Sequence, residues 1–121
     1  NKKITMAAGY QNLFLEQGTT FTISLTLDDV YGNNYDLSNA NCYSQIRKSY
    51  YSANSTAIFT TSVDASNSTI TLSLDSRQTA NISTGRYVYD TIVSYAGAQG
   101  QANTVVRVLE GIVDVLPSVT R

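Results

Sequence analysis

The sequence predicts an all-β sandwich of about seven antiparallel strands with one short helical turn. Apolar and small polar residues alternate with a period of two through most of the chain, and turn-forming residues separate the alternating segments. No segment is long enough for the helices of a parallel α/β fold. A length of 121 residues suits one hydrophobic core. We therefore expect a single domain over residues 1–121, in which residues 1–11 could form an extended N-terminal arm.

The clearest predicted strand covers residues 20–27, where every second residue from Phe21 to Leu27 is apolar and the residues between are Thr or Ser. The predicted strands together are residues 12–16, 20–27, 41–48, 57–63, 70–74, 86–95 and 104–115. From their apolar positions we expect a core that includes Phe21, Ile23, Leu25, Phe59, Ile70, Leu72, Tyr89, Val106 and Val108.

Short polar segments separate these strands. Residues 28–34 are rich in Asp, Asn and Gly and predict a turn, and residues 64–68 predict a hairpin loop. Residues 75–81 begin with the capping residue Asp75 and predict a single helical turn that crosses between the two sheets.

The final strand has a break in its alternation. Arg107 points outward if the valines beside it point inward, but Glu110 and Asp114 can then be solvated only if one extra residue is inserted. We expect a β-bulge beside Gly111, because glycine inside a strand often marks such an irregularity.

One local motif refines the fold class to an immunoglobulin-like sandwich. Residues 84–89, TGRYVY, resemble the Gly-x-Tyr-x-Cys run of immunoglobulin-type domains, where the tyrosine closes a corner and the cysteine faces the core. Tyr87 would be the corner tyrosine and Tyr89 would replace the cysteine, although ordinary packed tyrosines explain the motif equally well. The disulfide and the tryptophan of antibody domains are missing, because Cys42 is the one cysteine and no tryptophan is present.

The composition disfavours several function classes. Eight Lys and Arg residues stand against nine Asp and Glu residues, so we expect no binding to nucleic acid or to an acidic membrane surface. No apolar run approaches the ~20 residues of a membrane-spanning helix. The chain has no histidine, which is the commonest general base and a common metal ligand. We expect a protein that is not an enzyme and holds no metal or cofactor.

The acidic residues on the strands leave one catalytic alternative open. Glu16, Asp90, Glu110 and Asp114 could supply a pair of catalytic carboxylates. Carboxylates on antiparallel strands are more often solvated groups that point outward.

The acidic residues around the first turn leave a calcium site as a second alternative. Asp28, Asp29 and Asp36 flank this turn, but their spacing fits no calcium-loop pattern. Hydrogen bonds from Asp to its own backbone explain aspartates at turns without a metal.

The segment after the third predicted strand is the candidate binding surface. Arg47, Lys48, Tyr50 and Tyr51 combine two cations with two aromatic rings, a mixture typical of interface anchors. We predict that this cluster acts together with Val108 of the long final strand, which could pair with a neighbouring chain if it lies at a sheet edge. The alternative is a solvated loop beside an ordinary closing strand.

Four segments of the chain carry a family resemblance. They are LEQGTTFT at residues 15–22, SQIRKSYY at 44–51, GRYVYD at 85–90 and VRVLEGIV at 106–113. Together they resemble a small sandwich domain of tailed-bacteriophage structural proteins, particularly those of contractile-tailed phages of marine cyanobacteria. They are also similar to the N-terminal sandwich of phage baseplate upper proteins. The resemblance covers residues 13–121.

The resemblance implies a virion structural or assembly domain that is built in the host cytoplasm and carries no active site. Its expected partners are other virion proteins or further copies of itself in a homo-oligomer. A carbohydrate-binding module is the alternative, because nine tyrosines against three phenylalanines could offer rings on which a glycan stacks. A hydrolase is a minor third alternative.

Overall fold

The computed structural model describes residues 2–5, 9–28, 33, 35–97 and 99–118. Within these residues the chain forms ten strands and one short helix. The strands are β1 (Lys2–Thr5), β2 (Gly9–Tyr10), β3 (Leu13–Glu16), β4 (Phe21–Asp28), β5 (Ala40–Arg47), β6 (Ala57–Ile58), β7 (Thr60–Asp64), β8 (Thr69–Leu74), β9 (Gly85–Tyr95) and β10 (Thr104–Leu116), and the helix is α1 (Ser76–Ala80).

The strands form two sheets that enclose one hydrophobic core. The four-stranded sheet has the order β1-β4-β8-β7, and the six-stranded sheet has the order β2-β10-β9-β5-β6, with β3 also paired to β10. This arrangement confirms the all-β sandwich. The antiparallel prediction holds for the pairs from β4 onward, whereas β1 runs parallel to β4 and both β2 and β3 run parallel to β10.

One predicted strand, residues 57–63, is divided between the two sheets. β6 pairs with β5 in the six-stranded sheet, and β7 pairs with β8 in the four-stranded sheet. The change takes place at the buried Phe59, whose N–H donates to the carbonyl of Ser44 at 3.0 Å. The alternation does not reveal this division, because a period of two reports which side chains are buried and not which strand supplies the backbone partner.

The N-terminal residues contribute more structure than the sequence predicts. Residues 2–5 and 9–10, within the predicted arm, form the short strands β1 and β2, which pair with different sheets. The predicted turn at residues 28–34 is covered only in part, because residues 29–32 and 34 lie outside the described residues.

The predicted bulge in β10 is present, but three residues earlier than expected. Arg107 pairs with Ile92 and Leu109 pairs with Thr91, so Val108 is the inserted residue. Val108 and Leu109 are both buried, so two consecutive side chains point inward. Beyond this point the alternation of inward and outward residues is shifted by one position.

Gly111 is required for a reason unrelated to the bulge. A Cβ at position 111 would overlap the carbonyl of Gln11 and would lie 3.1 Å from the ring of Tyr89. The N-terminal segment therefore lies close against β10 at a point where no side chain fits.

Three residues at the ends of the sandwich are less buried than predicted. Phe21, Ile23 and Val106 are half-buried and pack against the core from its margin, while the other predicted core residues are buried. The alternation identifies the inward face correctly, but it does not show how far the opposite sheet extends over that face.

The crossing from β8 to β9 follows the sequence prediction. Asp75 caps α1 and forms a capping box with Gln78, and the helix links the two sheets.

Tyr87 is buried and its hydroxyl donates to the carbonyl of Ser83 at 2.7 Å, which is the hydrogen bond of a tyrosine corner, while Tyr89 lies in the core. β4, β8 and β7 are neighbours in one sheet and β10, β9 and β5 in the other, the order of strands B, E, D and G, F, C in immunoglobulin-type sandwiches.

We expect Leu72→Ala to lower the free energy of unfolding by about 2–5 kcal/mol, because the side chain is fully buried and its removal leaves a cavity. Tyr51→Ala is the matched control, since an exposed side chain away from the core should change stability by less than about 0.5 kcal/mol. Urea unfolding measures both values. A loss below about 1 kcal/mol for Leu72→Ala would mean that the inward face of β8 is wrongly assigned.

Candidate functional site

The outer face of the six-stranded sheet brings together residues that are far apart in the sequence. One row of side chains crosses all of its paired strands: Tyr10 lies beside Glu110, Glu110 beside Asp90, Asp90 beside Gln45, and Gln45 beside Ile58. These five residues, the central row, have polar groups in the middle and large exposed apolar side chains at both ends. They define the centre of the surface that we call the outer face.

An ion-pair cluster occupies one side of the central row. The Nε atom of Arg107 lies 3.4 Å from a carboxylate oxygen of Asp90, and its Nη1 atom lies 3.6 Å from a carboxylate oxygen of Glu110. The bulge at Val108 creates this cluster, because it leaves Arg107 and Glu110 both on the outer face although they are three positions apart. The single guanidinium thus holds two carboxylates that would otherwise repel each other.

Arg47 is held in place on the other side of the central row. Its guanidinium donates to the carbonyl of Ser52 at 3.0 Å and to the side-chain oxygen of Gln45 at 2.8 Å. These bonds join the end of β5 to the loop that follows it, which carries Tyr50. Arg47 is half-buried and presents a fixed planar group, which loses less conformational entropy on binding than a free side chain.

Two adjoining depressions of about 240 Å³ each lie on the outer face, and both are lined by Gln45, Arg47 and Asp90. Tyr50 and Arg107 complete the first, whereas Tyr43 and Ile92 complete the second. The outer face is therefore a polar floor with charges of both signs and with tyrosines at its rim.

The structure separates the residues of the predicted binding cluster. Arg47 and Tyr50 share the first depression, and Tyr51 is 97% exposed in the adjacent loop. Lys48 lies apart from them, with its Nζ atom 4.6 Å above the centre of the Tyr87 ring and 3.4 Å from the carbonyl of Arg86. Consecutive residues of an extended chain point to opposite sides, which accounts for this separation.

The prediction that Val108 belongs to a binding surface is wrong. Its side chain is 0% exposed, since it is the inserted residue that turns inward at the bulge. The prediction also depended on β10 being an edge strand, but from Leu109 to Leu116 it lies between β9 on one side and β2 and β3 on the other.

Several residues of the outer face were not predicted as a site. Gln45 lies on β5 and Arg107 lies on β10, with β9 between the two strands, and only the pairing register places these residues together. Asp90 and Glu110 were considered only among the four carboxylates that could supply a catalytic pair. The signal in the sequence was their outward position in the alternation, which does not specify which outward residues become neighbours.

The acidic residues of the first turn have local explanations where they are described. A carboxylate oxygen of Asp36 accepts the backbone N–H of Ser38 at 2.9 Å, and this hydrogen bond lowers the pKa of Asp36. Asp28 is buried at the end of β4, and Asp29 lies outside the described residues. Among the described residues, no three or more His, Cys, Asp and Glu side chains are grouped so that they could hold a metal ion.

Burial raises the pKa of the Cys42 thiol to about 12, so this side chain stays protonated near neutral pH and packs as a small apolar group.

Within the described parts of the chain, no helix is long and apolar enough to cross a membrane.

No family model and no curated protein matches the chain. Among solved structures, the chain is similar to the N-terminal domain of phage TP901-1 ORF48, with a TM-score of 0.63 and 11% sequence identity. The similarity covers 94% of this chain and 94% of that chain. At this level of identity the similarity shows a shared fold. The expected link to contractile-tailed phages of marine cyanobacteria stays a prediction.

Proposed function

We propose that the chain is a structural domain of a phage virion, of the kind found in a tail or baseplate, and that it acts through protein contacts without catalysis. The similarity to the phage domain of TP901-1 ORF48 carries this proposal, because it extends over 94% of both chains.

The outer face supplies the contact surface in this proposal. Arginine and tyrosine are enriched in protein interfaces, and the outer face presents Arg47 and Arg107 with Tyr43 and Tyr50 around shallow depressions. The position of Arg47 is fixed by its two hydrogen bonds, so little order has to be gained on binding.

The contacts of the carboxylates favour a role without catalysis. Two of the four candidate acids, Asp90 and Glu110, lie within ion-pair distance of Arg107 at an open surface. Both carboxylates are therefore engaged by a guanidinium within the outer face, whereas a catalytic acid or base has to reach a bound substrate.

Mass spectrometry of purified particles of the phage that encodes the chain should detect it as a component of the virion. When a phage that lacks the gene is complemented in trans, we expect Tyr43→Ala with Tyr50→Ala to reduce incorporation at least about tenfold, as for the loss of interface anchors worth more than 1 kcal/mol. Lys48→Ala is the matched control, because Lys48 lies away from the outer face. Absence of the chain from infectious particles would contradict the virion role, and full incorporation of the double variant would place the contact elsewhere.

A carbohydrate-binding role is the second candidate, and the depressions supply the observation that favours it. Tyr43 and Tyr50 rim two depressions with a shared floor of Gln45, Arg47 and Asp90. A tyrosine ring offers an apolar face to a sugar ring, while planar amide, guanidinium and carboxylate groups can hydrogen-bond its hydroxyls. The charges of Arg47 and Arg107 balance those of Asp90 and Glu110, which favours a neutral glycan.

A glycan array followed by NMR titration tests this second candidate. Binding should shift the amide resonances of Gln45 and Asp90 and should weaken at least about tenfold in Tyr43→Ala, within the range for loss of one aromatic contact. Tyr51→Ala should bind like the wild type, since Tyr51 lines neither depression. The sugar-binding role is excluded if no neutral glycan shifts these amides, or if Tyr43→Ala binds as well as the wild type.

A further inference from the structure

One edge of the six-stranded sheet is formed by the short strands β2 and β3 in succession, which have no described partner on their outer side. β2 and β3 follow β10 in a single parallel register, from Gly9 beside Leu109 to Glu16 beside Leu116. Residues 9–16 therefore form the last strand of the sheet on this side, and we call them the 9–16 edge. Among the described residues, nothing pairs with the 9–16 edge on the side away from β10.

The backbone of the 9–16 edge points its free groups outward at alternate residues. The N–H of Gln11 donates to Glu110, and that of Gln17 donates to Leu116, so the odd-numbered residues face β10. Main-chain groups alternate in direction along a strand, and hence those of Tyr10, Asn12 and Phe14 face away from β10. The carbonyl of Asn12 accepts from the Gln11 side chain at 3.0 Å, so the pairing capacity lies mainly at Tyr10 and Phe14.

The other three sheet edges are protected in the ways that proteins use against edge-to-edge pairing. β1 has only four residues, and β6 has only two. β7 carries polar residues at its exposed positions, which are Thr60, Ser62 and Asp64.

The 9–16 edge has none of these protections. It contains no lysine, arginine or proline, and its one charge is Glu16 at the end. Phe14 is 63% exposed and Tyr10 is 58% exposed, and both lie on the outer face. An uncharged edge with exposed aromatic side chains is the type of edge that pairs with another chain.

We propose that the 9–16 edge pairs, antiparallel, with the same edge of a second copy of this chain. A two-fold axis at Asn12 sets Tyr10 opposite Phe14 of the partner copy and joins the two six-stranded sheets into one. The hydrogen-bonded pairs of this register are the even-numbered residues, whose main-chain groups point outward. The two aromatic side chains lie directly opposite each other on one face, which is a favourable cross-strand pair.

The charge distribution supports a second copy as the partner. Residues 9–15 carry no charge, so two identical edges meet without repulsion. The one charge of the edge, Glu16, lies at its end, and the next charges on the outer face are Asp114, which is bonded to Arg86 at 3.0 Å, and Glu110, which is paired with Arg107. Asp114 and Glu110 are neutralised inside their own copy, so an acidic partner would find no complementary charge along this edge and a basic partner would find only Glu16.

The size of the contact predicts a weak dimer. Eight residues extend about 26 Å at ~3.3 Å per residue, and one strand edge of that length falls well below the roughly 1,600 Å² of a standard interface. We therefore expect dissociation constants in the range of about 10 μM to 1 mM for the isolated chain. Copies that are tethered in a larger assembly would pair readily at their high effective concentration.

Sedimentation of the wild type at concentrations up to about 1 mM should show its mass rising toward that of a dimer. Phe14→Lys should remain a monomer, because the charge is placed on the pairing edge. Ile58→Lys is the matched control and should dimerise like the wild type, because Ile58 is equally an exposed apolar residue but lies on the opposite edge. Circular dichroism checks that each variant is folded.

Filtered NOE spectra of a mixture of labelled and unlabelled wild type give a second test that needs no variant. We expect contacts between Tyr10 of one copy and Phe14 of the other. The proposal is overturned if the wild type stays monomeric at the highest concentration. The partner of the 9–16 edge would then be a strand of another protein. Dimerisation that survives Phe14→Lys, or that is lost in Ile58→Lys, overturns it as well. Both experiments use the isolated chain, so their outcome is independent of the particle experiment on the virion role.

Discussion

The main chain of Gln11 lies against β10 at Gly111, so closely that any side chain at position 111 would displace it. Two hydrogen bonds hold this contact, from the N–H of Gln11 to the carbonyl of Glu110 at 3.0 Å and from the Tyr89 hydroxyl to the carbonyl of Gln11 at 2.5 Å. The second bond crosses from the core strand β9, so the sheet edge is tied to the centre of the sandwich. Burial raises the pKa of Tyr89, and its hydroxyl thus remains a donor over the whole physiological range.

The contact at Gly111 lies between the two places where the N-terminal strands pair with β10, and both strands keep one register there. It places Leu13 and Leu15 in the core, where both are buried, and Tyr10 and Phe14 on the outer face. It also leaves the side-chain oxygen of Asn12 in position to accept the N–H of Ile112 at 3.3 Å. The proposed dimer edge and one end of the central row are consequences of a single close approach between distant parts of the chain.

Alternation along the chain was enough to predict most strands, because each strand buries one face and exposes the other. The alternation did not predict the features that depend on which strands pair with each other. The strand around Phe59 was predicted as one but changes sheets there, and the bulge was expected beside Gly111 but occurs at Val108. Gly111 was taken as a sign of the bulge, whereas its role depends on Gln11, which is far away in the sequence.

The sequence predicted less of the candidate site than of the fold. Arg47 and Tyr50 were predicted and lie on the outer face, because they are close in the sequence and follow one strand. The remainder of the surface, including Gln45 and Arg107, is assembled by pairing between β5, β9 and β10. No local pattern encodes that pairing, since each strand has several outward polar residues and the register decides which of them meet.

The contact between Gln11 and Gly111 is tested most directly by Gly111→Ala. The added methyl group has to displace the Gln11 carbonyl, and we expect a loss of about 1–3 kcal/mol in the free energy of unfolding, as for other overpacked positions. Native-state hydrogen exchange should show lost protection at residues 11, 13 and 15, whose N–H groups face β10, with smaller changes in the four-stranded sheet. A variant that is as stable as the wild type within about 0.5 kcal/mol, with unchanged protection at these residues, would contradict the central place of this contact.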